Sequence, residues 1–267
     1  LIDYIDRIYT DFGAPGQVYG LENEEEIEDM KRRAVLAELK LVPVRIRHMG
    51  TGRCKDVLQQ MHDHLKSLGV EVRTSCQVEE IIVKENIARG LTCRDGKTVE
   101  ARFVVLAPGR EGAEWLNREA RRIGLENTIN PVDIGVRVEL PSAVMEPLTR
   151  IFYEAKLIYY SRSFNDKVRT FCMNPNGEVV LENNDGLVTV NGHSHAFNKT
   201  ENTNFAVLVS KTFTEPFKEP IAYGRYIASL ANVLGGGVII QSLGDLLSGH
   251  RSTVERLSKC MTIPTLH

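Results

Sequence analysis

The chain has 267 residues, 42% of them hydrophobic and 25% charged, enough for one large domain or two moderate ones with real cores. A net charge of −2 offers no general attraction to nucleic acid or anionic membranes, and the pairs Arg32-Arg33 and Arg121-Arg122 sit among acidic neighbours in helical segments. No apolar run approaches a membrane span and no charged-then-apolar signal segment opens the chain, so the default expectation is a cytoplasmic protein.

The spacing of Leu1, Ile5 and Ile8 predicts a first helix, ended by Gly13-Ala14-Pro15-Gly16. A second helix is expected over 22–39, with acidic residues in its first turns and Lys31, Arg32 and Arg33 further along, as the helix dipole favours. Residues 41–47 read as a strand, and Pro43 assigns it to an edge or to a strand's beginning. After the turn at His48-Met49-Gly50-Thr51-Gly52, the apolar face of Val57, Leu58, Met61, Leu65 and Leu68 predicts an amphipathic helix that Gly69 ends.

Strands are expected at 70–74, 77–84 and 87–94, then a hairpin at Asp95-Gly96 into 98–106. That last segment starts in alternation and ends apolar at Phe103-Val104-Val105-Leu106, the pattern of a strand entering a buried, parallel-type sheet. Residues 114–123 read as a helix carrying the single tryptophan, Trp115. Beyond about residue 130 the chain becomes β-rich, with strands expected at 131–140, 158–162, 167–173, 178–182, 187–191 and 205–211. Helices at 221–234 and 243–247 close it, and no internal repeat is present.

Few residues point to chemistry by themselves. The five cysteines, Cys54, Cys76, Cys93, Cys172 and Cys260, are odd in number and far apart in sequence, with no C-x-x-C pair, which speaks against a disulfide framework or a zinc site. Cys172 reads as a structural thiol, because a reactive one needs a neighbouring cation or a resolving cysteine. Thr51 is placed to cap the helix it precedes, and His48 to face a ligand by hydrogen bonding or proton transfer. The run Gly192-His193-Ser194-His195-Ala196 comes within one residue of a G-x-S-x-G nucleophile elbow, but polar turn-forming residues follow where an elbow needs a helix. His193 and His195 could share one face of a strand as metal ligands, yet two ligands without a third do not make a site, and no metal is expected. Asn198-Lys199-Thr200 matches a glycosylation sequon, without meaning in a cytoplasmic protein.

A buried strand that stops at Ala107-Pro108-Gly109 lets a ligand approach the backbone at the carboxyl end of a sheet. The succession of helix, Gly69-Val70-Glu71-Val72, a strand centred on Val78, a meander, and Val105-Leu106-Ala107-Pro108-Gly109 resembles the FAD-binding domain of the two-domain flavoproteins of the glutathione-reductase superfamily. Nearly the whole chain is similar to bacterial FAD-dependent dehydrogenases of mostly unassigned substrate. The carrying segments are Arg47-His48-Met49-Gly50-Thr51, Arg169 to Pro175, Val190-Asn191-Gly192-His193-Ser194, Asn202 to Ala206 and Gly235 to Gly244.

The resemblance implies a discontinuous arrangement and a mixed α/β fold with α+β character in the second half. Residues 50–129 would be a partial Rossmann-like FAD-binding domain with a β-meander, and 1–49 with 130–267 a β-rich substrate or cap domain. Gln77 and Val78 would face the adenine end of FAD, with Ala107, Pro108 and Gly109 closing over the same side. The Gly-rich G-x-G-x-x-G turn that cradles the pyrophosphate is absent from the chain; Gly235-Gly236-Gly237 follows a helix and precedes a short strand expected at 238–240, the reverse order. The chain is therefore expected to be the central piece of an FAD-dependent oxidoreductase acting on an unknown small molecule, inactive and without FAD by itself. The alternatives are a non-catalytic binding or interaction module and, more remotely, a serine hydrolase using Ser194.

Overall fold

The computed structural model describes residues 1–21, 23–126, 128–195, 199–214 and 216–266. Glu22, expected to open the second helix, and Ala196 and Asn198, which end the elbow-like run and begin the sequon, lie outside the described residues. The chain divides into two compact units, a larger one of Leu1–Met61 with Asn130–His267 and a smaller one of His62–Ile129. The fold is mixed α/β, and every ladder among the described residues is antiparallel.

The larger unit opens with α1 (Ile2–Asp11), α2 (Glu24–Leu36) and β1 (Lys40–Val42). The Asn23 side chain caps α2 by accepting from the Glu26 N–H at 3.3 Å, and three glutamates fill its first turn. Pro43 ends β1, far short of the expected residue 47, because proline has no N–H for the ladder; only Ile46 makes a further bridge, to Tyr19. Helix α3 (Thr51–Ser67) follows and contains the dividing point of the two units. It closes at Gly69, whose φ of +81° lets the Val70 N–H return to the Leu65 carbonyl at 3.0 Å.

In the smaller unit β2 (Val78–Lys84), β3 (Ile87–Cys93) and β4 (Thr98–Glu100) form a three-stranded meander. Helix α4 (Ala113–Arg122) binds its β2 edge. Trp115 Nε1 donates to the Glu79 carbonyl at 2.8 Å, the buried Glu119 accepts the Ile81 N–H at 2.9 Å, and Arg122 donates to the Ile81 carbonyl at 2.7 Å. One expected strand, 70–74, is missing, and another, 98–106, is formed only in its first residues. Residues 70–74 and 103–106 have no ladder partner among the described residues, and Phe103 and Val105 lie exposed. A strand exists only where another backbone supplies its hydrogen bonds, and apolar composition cannot substitute for that.

The remainder of the larger unit comprises β5 (Val132–Pro141), α5 (Ser142–Phe152), β6 (Lys156–Tyr160), β7 (Lys167–Asn174), β8 (Glu178–Asn184), β9 (Leu187–His193), β10 (Asn202–Lys211), α6 (Pro220–Gly235), α7 (Leu243–Leu247) and α8 (Val254–Leu257). A five-stranded sheet runs β1-β6-β7-β10-β5, and β8 pairs with β9 as a separate hairpin. Helix α5 escapes sequence reading because Pro147 interrupts its pattern; Met145, Leu148 and Phe152 nevertheless share one face and meet Ile27, Leu41 and Met173 in the core. The apolar run 238–240 is not a strand, and the short α8 has no apolar pattern to announce it.

Candidate functional site

The larger unit brings three separate segments to one polar cluster. His48 comes from the loop before α3, Tyr153 from the residue after α5, and Ser194 from the end of β9. Ser194 is 4% exposed, and its Oγ stands 2.9 Å from His48 Nε2. The Ser194 carbonyl accepts the Thr51 N–H at 3.1 Å, so Thr51 is the first residue of α3, tied by its backbone to Ser194, and not the expected cap. The His48 ring stacks on Tyr153 at 4.1 Å, and Tyr153 also packs on Tyr19 at 5.0 Å.

Tyr153 sits in a strained conformation. Its φ of +58° and ψ of −59°, with the Glu154 N–H bonded to the Phe152 carbonyl at 2.6 Å, make a γ-turn of positive φ, which is rare for a residue with a side chain. The turn sets the Tyr153 ring between His48 and Tyr19. Burial pushes the Tyr153 hydroxyl up to about 12, against a smaller lowering by the hydrogen bond with Ser194. Burial likewise lowers the His48 imidazole below its ordinary value, so the ring is neutral at pH 7. The cluster thus brings a protonated phenol, a hydroxyl and a neutral imidazole together, and the Ser194–His48 hydrogen bond gives a proton a path between those two groups.

A second set of polar groups adjoins it through Glu154, whose carboxylate accepts the Cys172 N–H at 2.9 Å. Between Asn204/Asn174 and Ala206/Phe171 the β10–β7 register shifts, and Cys172 in this bulge has φ +49°. Its carbonyl accepts from Arg137 Nη1 at 3.2 Å and Asn174 Nδ2 at 2.8 Å. Arg137 also donates to Asn204 Oδ1 at 2.6 Å and Asn191 Oδ1 at 3.1 Å. Gly192 brings the β9 backbone so close that an added Cβ would overlap Asn174, Asn204 and Arg137. Arg137 Nε and Asn204 Nδ2 are buried without a hydrogen-bond partner, which marks this network as able to take one more acceptor atom.

The expected site residues therefore separate. His48 and Ser194 meet in the larger unit, while Gln77, Val78, Ala107, Pro108 and Gly109 all belong to the smaller one. There the Gln77 carbonyl accepts the Arg94 N–H at 2.8 Å, and Val78 lies opposite Cys93. Gly109 has φ +69° with open space where a Cβ would stand, and Pro108 packs so tightly on Gly112 that no side chain fits there. All five cysteines are free, but two of them meet. Although 17 residues apart, Cys76 and Cys93 place their sulfurs 2.9 Å from each other. Tyr153 escaped sequence reading with its helix, as did Arg137, which carries no motif; Asn204 lies in the carrying segment 202–206, which assigns it no role.

No protein-family model matches the chain. A protein of Clostridium beijerinckii named "Uncharacterized protein" is 29% identical over 229 residues, covering 77% of this chain and 42% of the relative. The chain thus spans less than half the length of that relative.

Proposed function

We propose that the chain is the central part of an FAD-dependent oxidoreductase of the cytoplasm that acts on a small molecule. What supports the reading is the ordered succession of α3, the Gly69 cap, the β2-β3-β4 meander and the open Pro108-Gly109 turn, which resembles the later half of a flavin-binding domain, although the strands expected at 70–74 and 103–106 are not formed. Gln77, Val78, Ala107, Pro108 and Gly109 would hold the adenine side of FAD. The open Gly109 backbone fits such an approach, whereas no strand-to-helix Gly-rich turn in the chain serves the pyrophosphate. FAD when bound accepts a hydride. The chain's own residues contribute proton handling: neutral His48 accepts a proton at Nε2, and Ser194 and Tyr153 keep that nitrogen in a water-poor, hydrogen-bonded position.

The test is colour and binding. The protein expressed with the sequence that flanks it in its gene should show visible flavin absorbance or bind added FAD, and failure of both would sink the proposal, leaving a binding module. The 267-residue chain alone should purify colourless; a tightly held yellow cofactor would contradict the need for a separate phosphate cradle.

A second reading has one specific observation in its favour, the 2.9 Å Ser194–His48 pair, which has the spacing of a nucleophile and its base. Against it stand the burial of Ser194 and, among the described residues, the lack of a carboxylate orienting His48. An organophosphorus probe decides: covalent labelling of Ser194 supports a hydrolase, and none removes it.

A further inference from the structure

We propose that Glu178, His193 and His195 form a binding site for a divalent first-row transition metal ion, independent of the flavin reading. The hairpin builds it. Glu178 and His193 are paired across β8 and β9, so their side chains leave the same face as nearest neighbours. His195 lies two residues further on, and in extended chain that spacing returns to the same side. Its Nε2 reaches Glu178 Oε1 at 2.6 Å, and its ring meets that of His193 edge-on at 6.0 Å. One ligand atom from each residue lies within 4.8 Å of the others.

Bonds of about 2.0–2.2 Å to nitrogen and oxygen at near-tetrahedral angles require ligand atoms about 3.3–3.6 Å apart. The 2.6 Å His195–Glu178 contact must open and any wider separation close, and the partly exposed side chains of His195 and Glu178 have solvent to move into. The backbone beneath them is firmly held. The Val179 N–H donates to Thr265 Oγ1 at 2.9 Å, and Gly177 lies against the His193 carbonyl with no room for a side chain. Ser194, between the two histidines, faces the other way and is anchored to His48 and Thr51. One strand end thus presents alternate residues to two different tasks.

Two imidazoles and one carboxylate select Zn2+, Co2+, Ni2+ or Fe2+ over Mg2+ and Ca2+, which favour all-oxygen sets. Three protein ligands leave at least one position for water or another small ligand, the composition of catalytic more than of structural sites.

The experiment titrates the chelator-treated chain with ZnCl2 by calorimetry and with CoCl2 by visible absorption. One ion per chain is expected. His193→Ala and His195→Ala should each weaken binding by at least the roughly 10–100-fold that even loss of an outer-shell partner costs, and Glu178→Gln should also weaken it. His62→Ala and His250→Ala should leave it unchanged, which separates the site from the other histidines of the seven. Metal-free variants should keep the parent's unfolding midpoint, so that lost binding is not lost folding. Absence of stoichiometric binding, or equal binding by the His193→Ala/His195→Ala double variant, overturns the proposal.

Discussion

Ser194 Oγ and His48 Nε2 stand 2.9 Å apart across 146 residues of sequence, joining the end of β9 to the loop before α3. Burial of His48 in this pair fixes the sign of a pH effect. Burial holds the folded-state value of His48 down, while the unfolded chain takes up a proton at about pH 6.5. Its contribution to stability is therefore complete above about pH 6.5 and declines as pH falls below that toward the lowered folded value. Thermal unfolding across this range should show a smaller decline for His48→Gln than for the parent. An NMR titration of His48 with a midpoint above 6.5 would refute the account.

Gly192 should resist substitution. A Cβ there overlaps side chains held in the Arg137–Asn174–Asn204 network, of which Asn204 is 0% exposed and has nowhere to move. Gly192→Ala should cost about 1–3 kcal/mol in denaturant unfolding, as overpacking does. Gly52→Ala, in α3 with open space at its Cβ position, should instead stabilise by about 0.5–1 kcal/mol. Equal effects at the two positions would show that the network is not rigid.

Phe152 is the keystone of the larger unit's core, 0% exposed and packed among Ile27, Leu41, Met145 and Met173. Phe152→Ala should lower unfolding free energy by about 3–5 kcal/mol. The same variant should release the γ-turn at Tyr153 and raise the exchange rate of the Glu154 amide; a slow, protected amide would show that the turn stands without the core.

Cys76 and Cys93 should join when diamide is added. The two thiols give up two hydrogens, diamide is reduced to the hydrazine, and one S–S bond forms. The hydrogen bond to Cys76, and then burial, hold the Cys93 thiol above its ordinary value, so the reaction should quicken as pH rises. Mass spectrometry should find the pair protected from alkylation while Cys54 and Cys260 remain reactive. Continued labelling of both would exclude it.

The hairpin that carries the proposed metal site shows how much was legible and how much was overlooked. Asp185-Gly186, with φ of +56° and +79°, is a two-residue turn of the kind that Asp-Gly favours. Counting back along both arms from Asn184 and Leu187 places Glu178 opposite His193, so the third ligand was within reach of the sequence. The segment 103–106 carries the opposite lesson: its composition is that of a buried strand, yet Val105 is exposed and no ladder receives it among the described residues. Helix α5 lay hidden behind one proline, and Tyr153 with it.

Sequence by itself determined most of the local elements: the positions of most helices, the Gly69 cap, the Asp95-Gly96 turn, the β-rich second half and the absence of a Gly-rich phosphate turn. These depend on residues within a few positions of one another, where backbone sterics and side-chain period act directly. The tertiary structure decided that His48, Tyr153 and Ser194 share one cluster, that the Cys172 bulge turns its carbonyl to Arg137, and that two distant thiols meet. Those contacts follow from strand register and core packing summed over the whole unit, and no local pattern of residues encodes that sum.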